Sequence, residues 1–186
     1  MTMTLSEHVA VLVVDAQAGL LIGASSVLDA AALVDRLGFI IEQARKRGLS
    51  IIYTQDKDVG PLDSPEWLIH PALAPPSGEL VVRKAFADSF YQTSLHAALA
   101  AQTIRQLVVV GCKTDACVEM TCRRAVSLGY DVVLVSDGHS TTDNRFMTAA
   151  ESIEYYNLVL DGFGTEDGFG NGLHSVQLRS SGELFG

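Results

Sequence analysis

Short apolar runs alternate with longer amphipathic stretches along this chain. The first run, Val9–Val14, has no polar interruption, which is typical of a strand buried on both faces of a parallel sheet. Residues 27–47 follow with apolar residues at helical spacing, and basic residues before Gly48 are signals for the end of a helix. The pattern therefore predicts a strand that ends at Asp15, followed by a helix.

The same alternation continues through the rest of the chain. Further strands are predicted at residues 49–54, 79–82, 107–110, 130–135 and 176–178, the last of them as an edge strand. Further helices are predicted at residues 93–101, 117–128 and 145–158. Residues 55–79 contain clustered aspartates and prolines and are predicted to form a long, ordered loop over one edge of the sheet. Six strands alternating with helices predict a doubly wound α/β fold, with the carboxyl ends of its strands at one edge.

Composition and charge exclude several classes of function. The chain has 186 residues, of which 48% are hydrophobic, so we expect one domain over residues 1–186 with a large core. Its 13 basic and 22 acidic residues give a net charge of -9, so we expect no nucleic-acid partner and no anionic membrane surface. No apolar run approaches the roughly 20 residues that span a bilayer.

The amino-terminal sequence and the cysteine usage bear on location. The segment MTMTLSEH lacks a basic region followed by an apolar stretch, so no secretory signal is expected. The 3 cysteines do not suggest a disulfide framework in a chain of this length. The sequence thus predicts a reduced, cytoplasmic protein whose partner is a small-molecule substrate.

Three chemically functional side chains are predicted to meet at the carboxyl edge of the sheet. Asp15 ends the first strand, Lys84 follows the third, and Cys117 lies where the fourth strand turns into a helix. A helix amino terminus and a lysine lower the pKa of a thiol, whereas burial and a nearby carboxylate raise it. The carboxylate can also take the thiol proton, so the group would form a nucleophile with its base. Taken alone, Asp15 is as readily a helix or turn cap, Lys84 a surface charge and Cys117 a small buried side chain.

Three segments of the sequence contain recognisable motifs: Asp15-Ala-Gln17, Lys84 to Phe90 with Thr93 and Leu95, and Gly111-Cys-Lys-Thr-Asp-Ala-Cys-Val118 with Thr121, Arg123 and Ala125. Together they resemble the isochorismatase-like cysteine hydrolases, a family that includes nicotinamidases and N-carbamoylsarcosine amidohydrolases. The third is specific, since it matches the pattern G-x-x-T-x-x-C-V-x-x-T-x-R-x-A, whereas D-x-Q alone is weak. Ser136-Asp137 and Asn157 fit as well, so the resemblance covers about residues 8–160.

The resemblance implies a fold and a set of site residues. Family members have a three-layer α/β/α fold with a mostly parallel six-stranded sheet, and their catalytic triad corresponds here to Asp15, Lys84 and Cys117. The backbone N–H groups of Lys113 and Cys117 would form the oxyanion hole, after a cis peptide bond between Cys112 and Lys113. Lys113 departs from the family pattern, in which a small or apolar residue is more common at this position.

The activity that the resemblance implies is hydrolysis of a C–N bond in a small amide or ureide, through a thioester on Cys117. Isochorismatases proper typically have an aspartate at this position, so the thiol favours amide chemistry. Two alternatives stay open: an isochorismatase-type hydrolase of another small substrate, and a non-catalytic binding or oligomeric scaffold of the same fold. A receiver domain, another binding module on such a sheet, needs an aspartate after the third strand, where this chain has Arg83 and Lys84. Family members usually form dimers or tetramers, so a homo-oligomer is expected.

A metal ion is not expected. Nicotinamidases of this family bind one through an aspartate and several histidines after the second strand. Asp56 and His70 stand at plausible ligand positions here, but Asp58 replaces the histidine of the D-x-H motif, and no other histidine lies between them. One carboxylate and one histidine make a poor transition-metal site, so we predict no metal and no cofactor.

The walls of the substrate pocket are predicted from their place near the sheet edge. The candidates are Gln17, Leu20, Trp67, Phe86 and Phe90. An aromatic lining suits a planar or apolar acyl group, although such side chains more often belong to the core.

Other notable residues are assigned to supporting roles. His139 is an alternative base for Cys117, while Cys112 and Cys122 are expected to be buried. The glycine-rich stretch 162–172 does not match a nucleotide-binding loop and is predicted to be a loop before the edge strand or an oligomer contact.

Overall fold

Seven strands form one sheet in the computed structural model, which describes residues 8–166 and 173–186. Their order across the sheet is β3-β2-β1-β4-β5-β7-β6. The strands are β1 Val9–Val14, β2 Ser50–Asp56, β3 Leu80–Lys84, β4 Gln106–Cys112, β5 Asp131–Ser140, β6 Gly164–Glu166 and β7 Leu173–Arg179. All except β6 run parallel, which confirms the predicted sheet of six parallel strands.

Helices flank this sheet. They are α1 Ala18–Leu21, α2 Ala30–Lys46, α3 Leu95–Ala101, α4 Glu119–Ser127, α5 Ala149–Leu160 and α6 Ser181–Phe185. Short 3-10 turns at Lys57–Val59 and Pro71–Leu73 lie within the loop predicted after the second strand. Over the described ranges, no helix is both long enough and apolar enough to cross a membrane.

All four predicted helices begin two to four residues later than the sequence pattern predicts, and the structure explains the shift at two of them. A π-helical turn, Thr114–Val118, comes before α4, so Cys117 lies in this turn rather than at the start of the helix. The helix predicted from residue 145 begins at Ala149 because Thr148 caps it, in a reciprocal capping box with Glu151.

Apolar side chains bury both faces of the sheet, which confirms the three-layer architecture. Along β1 they alternate between two cores: Val9, Val11 and Val13 lie in one, and Ala10, Leu12 and Val14 lie in the other. The first core includes the apolar face of α2, and the second includes that of α4. Because β1 is buried on both faces, its sequence is apolar at every position.

One edge of the sheet differs from the prediction. The sequence pattern places residues 176–178 in an edge strand, but β7 is internal because β6 pairs with it in antiparallel orientation on its outer side. Gly164 lies opposite Ser175 in this pairing. Part of the glycine-rich stretch is therefore a short strand that covers the edge of β7. Residues 167–172 of that stretch lie outside the described residues.

The strand order reverses between β1 and β4, and ligands bind at such a switch point in doubly wound sheets. The chain builds β2 and β3 on one side of β1, then crosses to build β4 and β5 on the other. Gly111 allows the close approach of β4, since a Cβ atom there would lie 2.0 Å from the Val14 carbonyl oxygen. Its φ of +121° is also a conformation that L side chains rarely adopt. The segment after β4 is thereby brought beside the end of β1.

Candidate active site

Side chains from three neighbouring strands and one turn meet at the carboxyl edge of the sheet. Asp15 follows β1, Asp56 ends β2, and Lys84 ends β3 in register with Asp56. Cys117 lies in the π-helical turn after β4. The structure thus brings together the three residues that the sequence predicts as catalytic, and it adds Asp56 as a fourth.

Lys84 lies at the centre of this group. Its ammonium nitrogen is 2.7 Å from Asp15 Oδ2 and 2.6 Å from Asp56 Oδ2. It also lies 3.2 Å from Cys117 Sγ and 3.1 Å from the Phe86 carbonyl oxygen. Burial alone would lower the pKa of Lys84, but the charge of Asp15 and the hydrogen bonds to both carboxylates raise it above its ordinary value. The buried Lys84 side chain is therefore protonated at neutral pH.

Asp15 is an almost fully buried carboxyl group with a fixed orientation. Its backbone has a φ of 46°, in the left-handed region that aspartate tolerates better than most residues. The Thr54 hydroxyl donates to Asp15 Oδ1 at 2.7 Å and accepts from the Asp15 N–H at 3.2 Å. Burial raises the pKa of Asp15 even though Lys84 and Thr54 lower it. A raised pKa makes the carboxylate a stronger base toward a thiol.

Cys117 is a partly buried thiol beside these charges. Burial and the charge of Asp15 raise its pKa to about 12, and the opposing effect of Lys84 is smaller. The sequence predicts opposing effects on this pKa: a helix terminus and a lysine lower it, whereas burial and a carboxylate raise it. In the structure the raising effects are larger, because the thiol lies in a partly buried turn before α4, close to Asp15. The thiol is therefore protonated at neutral pH.

Asp56 is a member of the cluster that sequence reasoning missed in this role. Its Oδ2 accepts a hydrogen bond from the Lys84 ammonium at 2.6 Å and lies 4.0 Å from Cys117 Sγ. Its Oδ1 accepts the Asp58 N–H at 2.9 Å. The signal that could have identified it is its position, since Asp56 follows a buried strand as Asp15 does. The sequence reasoning considered Asp56 only as a metal ligand.

Gln17 fixes Asp56 from inside the fold. Its side-chain N–H groups donate to the carbonyl oxygens of Asp56, at 3.0 Å, and Trp67, at 2.7 Å. Its side-chain oxygen accepts the Asp56 N–H at 2.7 Å. The prediction that Gln17 lines the substrate pocket therefore needs correction: the side chain is fully buried and its amide is used on backbone groups.

The acidic cluster has the spacing of a cation site but already contains a cation. Ligand atoms of Asp15, Asp56 and Cys117 lie within 4.8 Å of one another. The Lys84 ammonium lies within 3.2 Å of all three side chains. His70, the other candidate ligand, uses its Nδ1 to accept a backbone N–H of its own turn. The residues present therefore do not fit a metal ion alongside Lys84.

The turn after β4 carries the predicted oxyanion donors. The peptide bond between Cys112 and Lys113 is cis. The Lys113 carbonyl oxygen accepts from the N–H groups of Ala116 and Val118, both at 3.2 Å, which closes the turn. Lys113 lines a cavity of about 560 Å³ whose other polar residues are Ser25, Ser26, Thr142 and Asp143. The oxyanion hole itself stays a prediction.

Two of the predicted pocket residues have exposed surface at this end of the molecule. Phe86 is half exposed and lines a cavity of about 270 Å³ together with Lys84 and Tyr91. Its ring meets that of Tyr91 edge to face, with centroids 4.7 Å apart. Leu20 is partly buried and packs against the core that α2 covers.

Trp67 and Phe90 do not line the small cavity beside Lys84, and a role for them in the substrate pocket stays a prediction. Phe90 is buried in the core, where it stacks on Tyr130 with ring centroids 5.8 Å apart. Trp67 lines a separate groove of about 780 Å³, with the Arg83 guanidinium 4.9 Å from its ring. Arg83 lines both this groove and the smaller cavity beside Lys84.

His139, the alternative base, is held on the other side of the π-helical turn. Its Nδ1 lies 2.9 Å from the Thr114 hydroxyl, and its Nε2 lies 2.9 Å from Asn157 Oδ1. Burial lowers the pKa of His139 to about 4, so the ring is neutral. Because both ring nitrogens are engaged, the imidazole has no free nitrogen to take a proton from Cys117. The two other cysteines, Cys112 and Cys122, are buried as predicted.

Comparisons with known proteins agree with this architecture. The isochorismatase domain model matches residues 9–159. Streptothricin hydrolase of Streptomyces noursei is 38% identical over 138 residues, which are 72% of this chain and 50% of the relative. Ureidoacrylate amidohydrolase of Azorhizobium caulinodans is 30% identical over 171 residues, which are 70% of this chain and 75% of that protein. The chain spans about half the length of the streptothricin hydrolases that it matches.

Solved structures have the same fold. An isochorismatase from Pseudomonas putida superposes with a TM-score of 0.83 at 26% identity, covering 96% of this chain and 90% of that one. The N-carbamoylsarcosine amidase of Thermoplasma acidophilum has a TM-score of 0.74 at 23% identity, covering 96% of this chain and 99% of that one, and shows the fold alone. With a domain model that matches most of its length, this chain belongs to the isochorismatase family.

Proposed function

We propose that this chain hydrolyses the C–N bond of a small amide or ureide, with Cys117 as the nucleophile and Asp15 as the base. The observation that carries the proposal is the Lys84 ammonium, 2.7 Å from Asp15 Oδ2 and 3.2 Å from Cys117 Sγ. A cation in this position stabilises whichever of the two groups is ionised. The amide-hydrolysing relatives, among them ureidoacrylate amidohydrolase and maleamate amidohydrolase, support this reaction class.

In the first half of the reaction, Asp15 takes the proton from Cys117 as the sulfur attacks the substrate carbonyl carbon. The raised pKa of the thiol means that this transfer accompanies the attack. The negative charge moves from Asp15 to sulfur and then to the carbonyl oxygen. The backbone N–H groups of Lys113 and Cys117 are proposed to donate to that oxyanion. When the C–N bond breaks, protonated Asp15 gives its proton to the leaving nitrogen, and a thioester remains.

In the second half, water replaces the amine. Asp15, again ionised, takes a proton from a water molecule that attacks the thioester carbon. The C–S bond breaks, and the proton on Asp15 returns to the sulfur. An amide gives a carboxylic acid and an amine, or ammonia where the amide is primary. A ureide gives an amine or ammonia and a carbamic acid, which breaks down to carbon dioxide and a second amine or ammonia.

The substrate is proposed only as a class. The relatives act on streptothricin, ureidoacrylate and maleamate, so these three compounds begin the panel, followed by N-carbamoylsarcosine and simple primary amides. The predicted dimer or tetramer, the cytoplasmic location and the single domain over residues 1–186 stay predictions.

The test is hydrolysis of this panel by the wild type and by Cys117→Ala in parallel. Product is measured as ammonia release and as substrate loss by chromatography, because hydrolysis of a secondary or cyclic amide releases no ammonia. We expect hydrolysis of at least one compound by the wild type and a loss of at least about a thousandfold in Cys117→Ala, since the nucleophile is gone. Trapping the acyl group on Cys117 by acid quench and mass spectrometry would show the thioester.

The matched control is Cys122→Ala, which removes a buried thiol that lies on α4 instead. It should retain hydrolysis if it folds, as judged by circular dichroism. Equal activity of wild type and Cys117→Ala would overturn the proposed mechanism.

A further inference from the structure

Lys84 has more acceptors around it than N–H groups to donate. An ammonium carries three N–H donors, whereas four acceptors lie within 3.2 Å of its nitrogen: two carboxylates, one carbonyl oxygen and one sulfur. The shortest of these distances is to Asp56 at 2.6 Å, not to Asp15. The catalytic lysine is thus shared between two carboxylates.

We propose that Asp56 is a positioning residue that holds the Lys84 ammonium beside Cys117 while the charge on Asp15 is lost and regained. This inference rests on the proposed function, because that reaction is what neutralises Asp15. When the S–H bond breaks and an O–H bond forms on Asp15, the negative charge moves to sulfur. Lys84 then lies between the thiolate and Asp56. It therefore has a carboxylate partner whether Asp15 is ionised or protonated, and its ammonium stays in place.

The position of the Asp56 carboxylate does not depend on Lys84. Gln17 hydrogen-bonds both the N–H and the carbonyl oxygen of Asp56, and the Asp58 N–H donates to its Oδ1. These bonds leave Oδ2 directed at the ammonium. Asp56 and Lys84 also sit opposite each other on adjacent strands. A carboxylate fixed in this way can hold the flexible lysine side chain in one place.

The proposed role predicts that loss of the Asp56 charge changes thiol reactivity and turnover in opposite directions. Asp56 Oδ2 lies 4.0 Å from Cys117 Sγ, so its negative charge disfavours the thiolate. Removing the charge should make the thiol easier to ionise. In the resting state Asp15 still holds Lys84 beside Cys117, but once Asp15 takes the proton the ammonium has no fixed carboxylate partner, so the attack is less well supported. Asp56→Asn should therefore raise thiol reactivity and lower turnover.

The experiment measures both quantities in Asp56→Asn, Asp56→Glu and Asp58→Asn. An asparagine retains the backbone bonds to Gln17 and can still accept the Asp58 N–H, so the local structure is preserved. At pH 7.5 we expect iodoacetamide to modify Cys117 about fivefold or more faster in Asp56→Asn, while kcat for the best amide falls about tenfold and KM changes little. Asp56→Glu keeps the charge and should stay close to the wild-type alkylation rate. Asp58→Asn removes a neighbouring charge outside the cluster and should change neither quantity.

The outcomes separate this inference from the proposed function. If the wild type hydrolyses no compound but Asp56→Asn still alkylates faster, the amidohydrolase proposal fails and only the shared lysine remains. If Asp56→Asn loses both turnover and thiol reactivity, Asp56 has a general structural role and the inference is overturned. Wild-type turnover in Asp56→Asn would overturn it equally.

Discussion

The two sides of the turn Thr114–Val118 are both polar and buried, but their groups are satisfied in different ways. On one side, each ring nitrogen of His139 has a single partner and the imidazole is neutral. On the other side, one ammonium is shared among more acceptors than it has protons, and two of these are carboxylates. The first arrangement fixes one conformation, whereas the second can redistribute protons and charge. We therefore expect the residues around His139 to stabilise the fold and the residues around Lys84 to take part in the reaction.

The largest expected effect comes from removing the cation. Lys84→Met leaves Asp15 and Asp56 as neighbouring carboxyl groups without their ammonium, at a cost of about 3–5 kcal/mol in the free energy of unfolding at pH 7. Urea denaturation measures this change. The deficit should shrink as the pH falls, because protonation neutralises both carboxylates in the variant. If the variant were as stable as the wild type at pH 7, the Lys84 ammonium would not be needed to stabilise the carboxylates of Asp15 and Asp56.

The control for that variant is Lys57→Met. Lys57 is exposed and lines the same small cavity as Lys84 and Phe86. Because it lacks the buried carboxylate partners of Lys84, its loss should change the unfolding free energy by less than about 0.5 kcal/mol. A large effect of Lys57→Met would mean that the denaturation reports general surface charge.

The next effect concerns the thiol. Burial and Asp15 raise the pKa of Cys117 to about 12, so at pH 8 only a small fraction is thiolate. Asp15→Asn removes the negative charge and lowers this pKa, and each unit of decrease raises the thiolate fraction about tenfold at fixed pH. We expect iodoacetamide to modify Cys117 at least about tenfold faster in Asp15→Asn at pH 8, as followed by mass spectrometry.

The other cysteines are internal controls for this measurement. Cys112 and Cys122 are fully buried, so they should stay unmodified while the fold is intact. Their modification in Asp15→Asn would show that the variant had opened, and the comparison would then be made at lower temperature. Slower alkylation of Cys117 in a folded Asp15→Asn would show that Asp15 promotes the thiolate in the resting protein.

The fold and the three predicted catalytic residues could be read from the sequence for the same physical reason. A strand buried on both faces has to be apolar at every position, so its end is visible as the first charged residue, as at Asp15 after Val9–Val14. Parallel topology then brings such ends to one edge. The strand β6 could not be read in this way, because three residues among glycines have no periodicity and pair only through backbone groups.

Other features of the site depend on distances that no local pattern contains. The pKa of Cys117 is set by the balance of burial, Asp15 and Lys84, and both signs are possible until the geometry is known. Asp56 could be placed near the edge, but its choice of Lys84 rather than a metal depends on register across two strands. Gln17 stands in a recognisable motif, yet its side chain is used on backbone groups of the interior.

The smallest expected effect tests the supporting side of the turn. His139→Gln removes an aromatic ring whose two nitrogens bind Thr114 and Asn157, and a buried polar group left without a partner costs about 1–3 kcal/mol. We expect a loss of that size in the free energy of unfolding at pH 7. Hydrolysis should persist, because the Lys84 cluster is untouched. Loss of hydrolysis in a folded variant would place chemistry on both sides of the turn.

The pH dependence of this variant sharpens the comparison. The folded protein holds the pKa of His139 at about 4, against an ordinary value of 6.5. Between these values the unfolded chain binds the proton and the folded one does not, so the stability due to a neutral, buried His139 is lost as the pH falls. Glutamine does not titrate, so the stability gap between wild type and His139→Gln should be smaller at pH 5 than at pH 7. Urea denaturation of both proteins at the two pH values measures the gap, and a gap that widened at pH 5 would mean that His139 is charged in the fold, as a residue that exchanges protons would be.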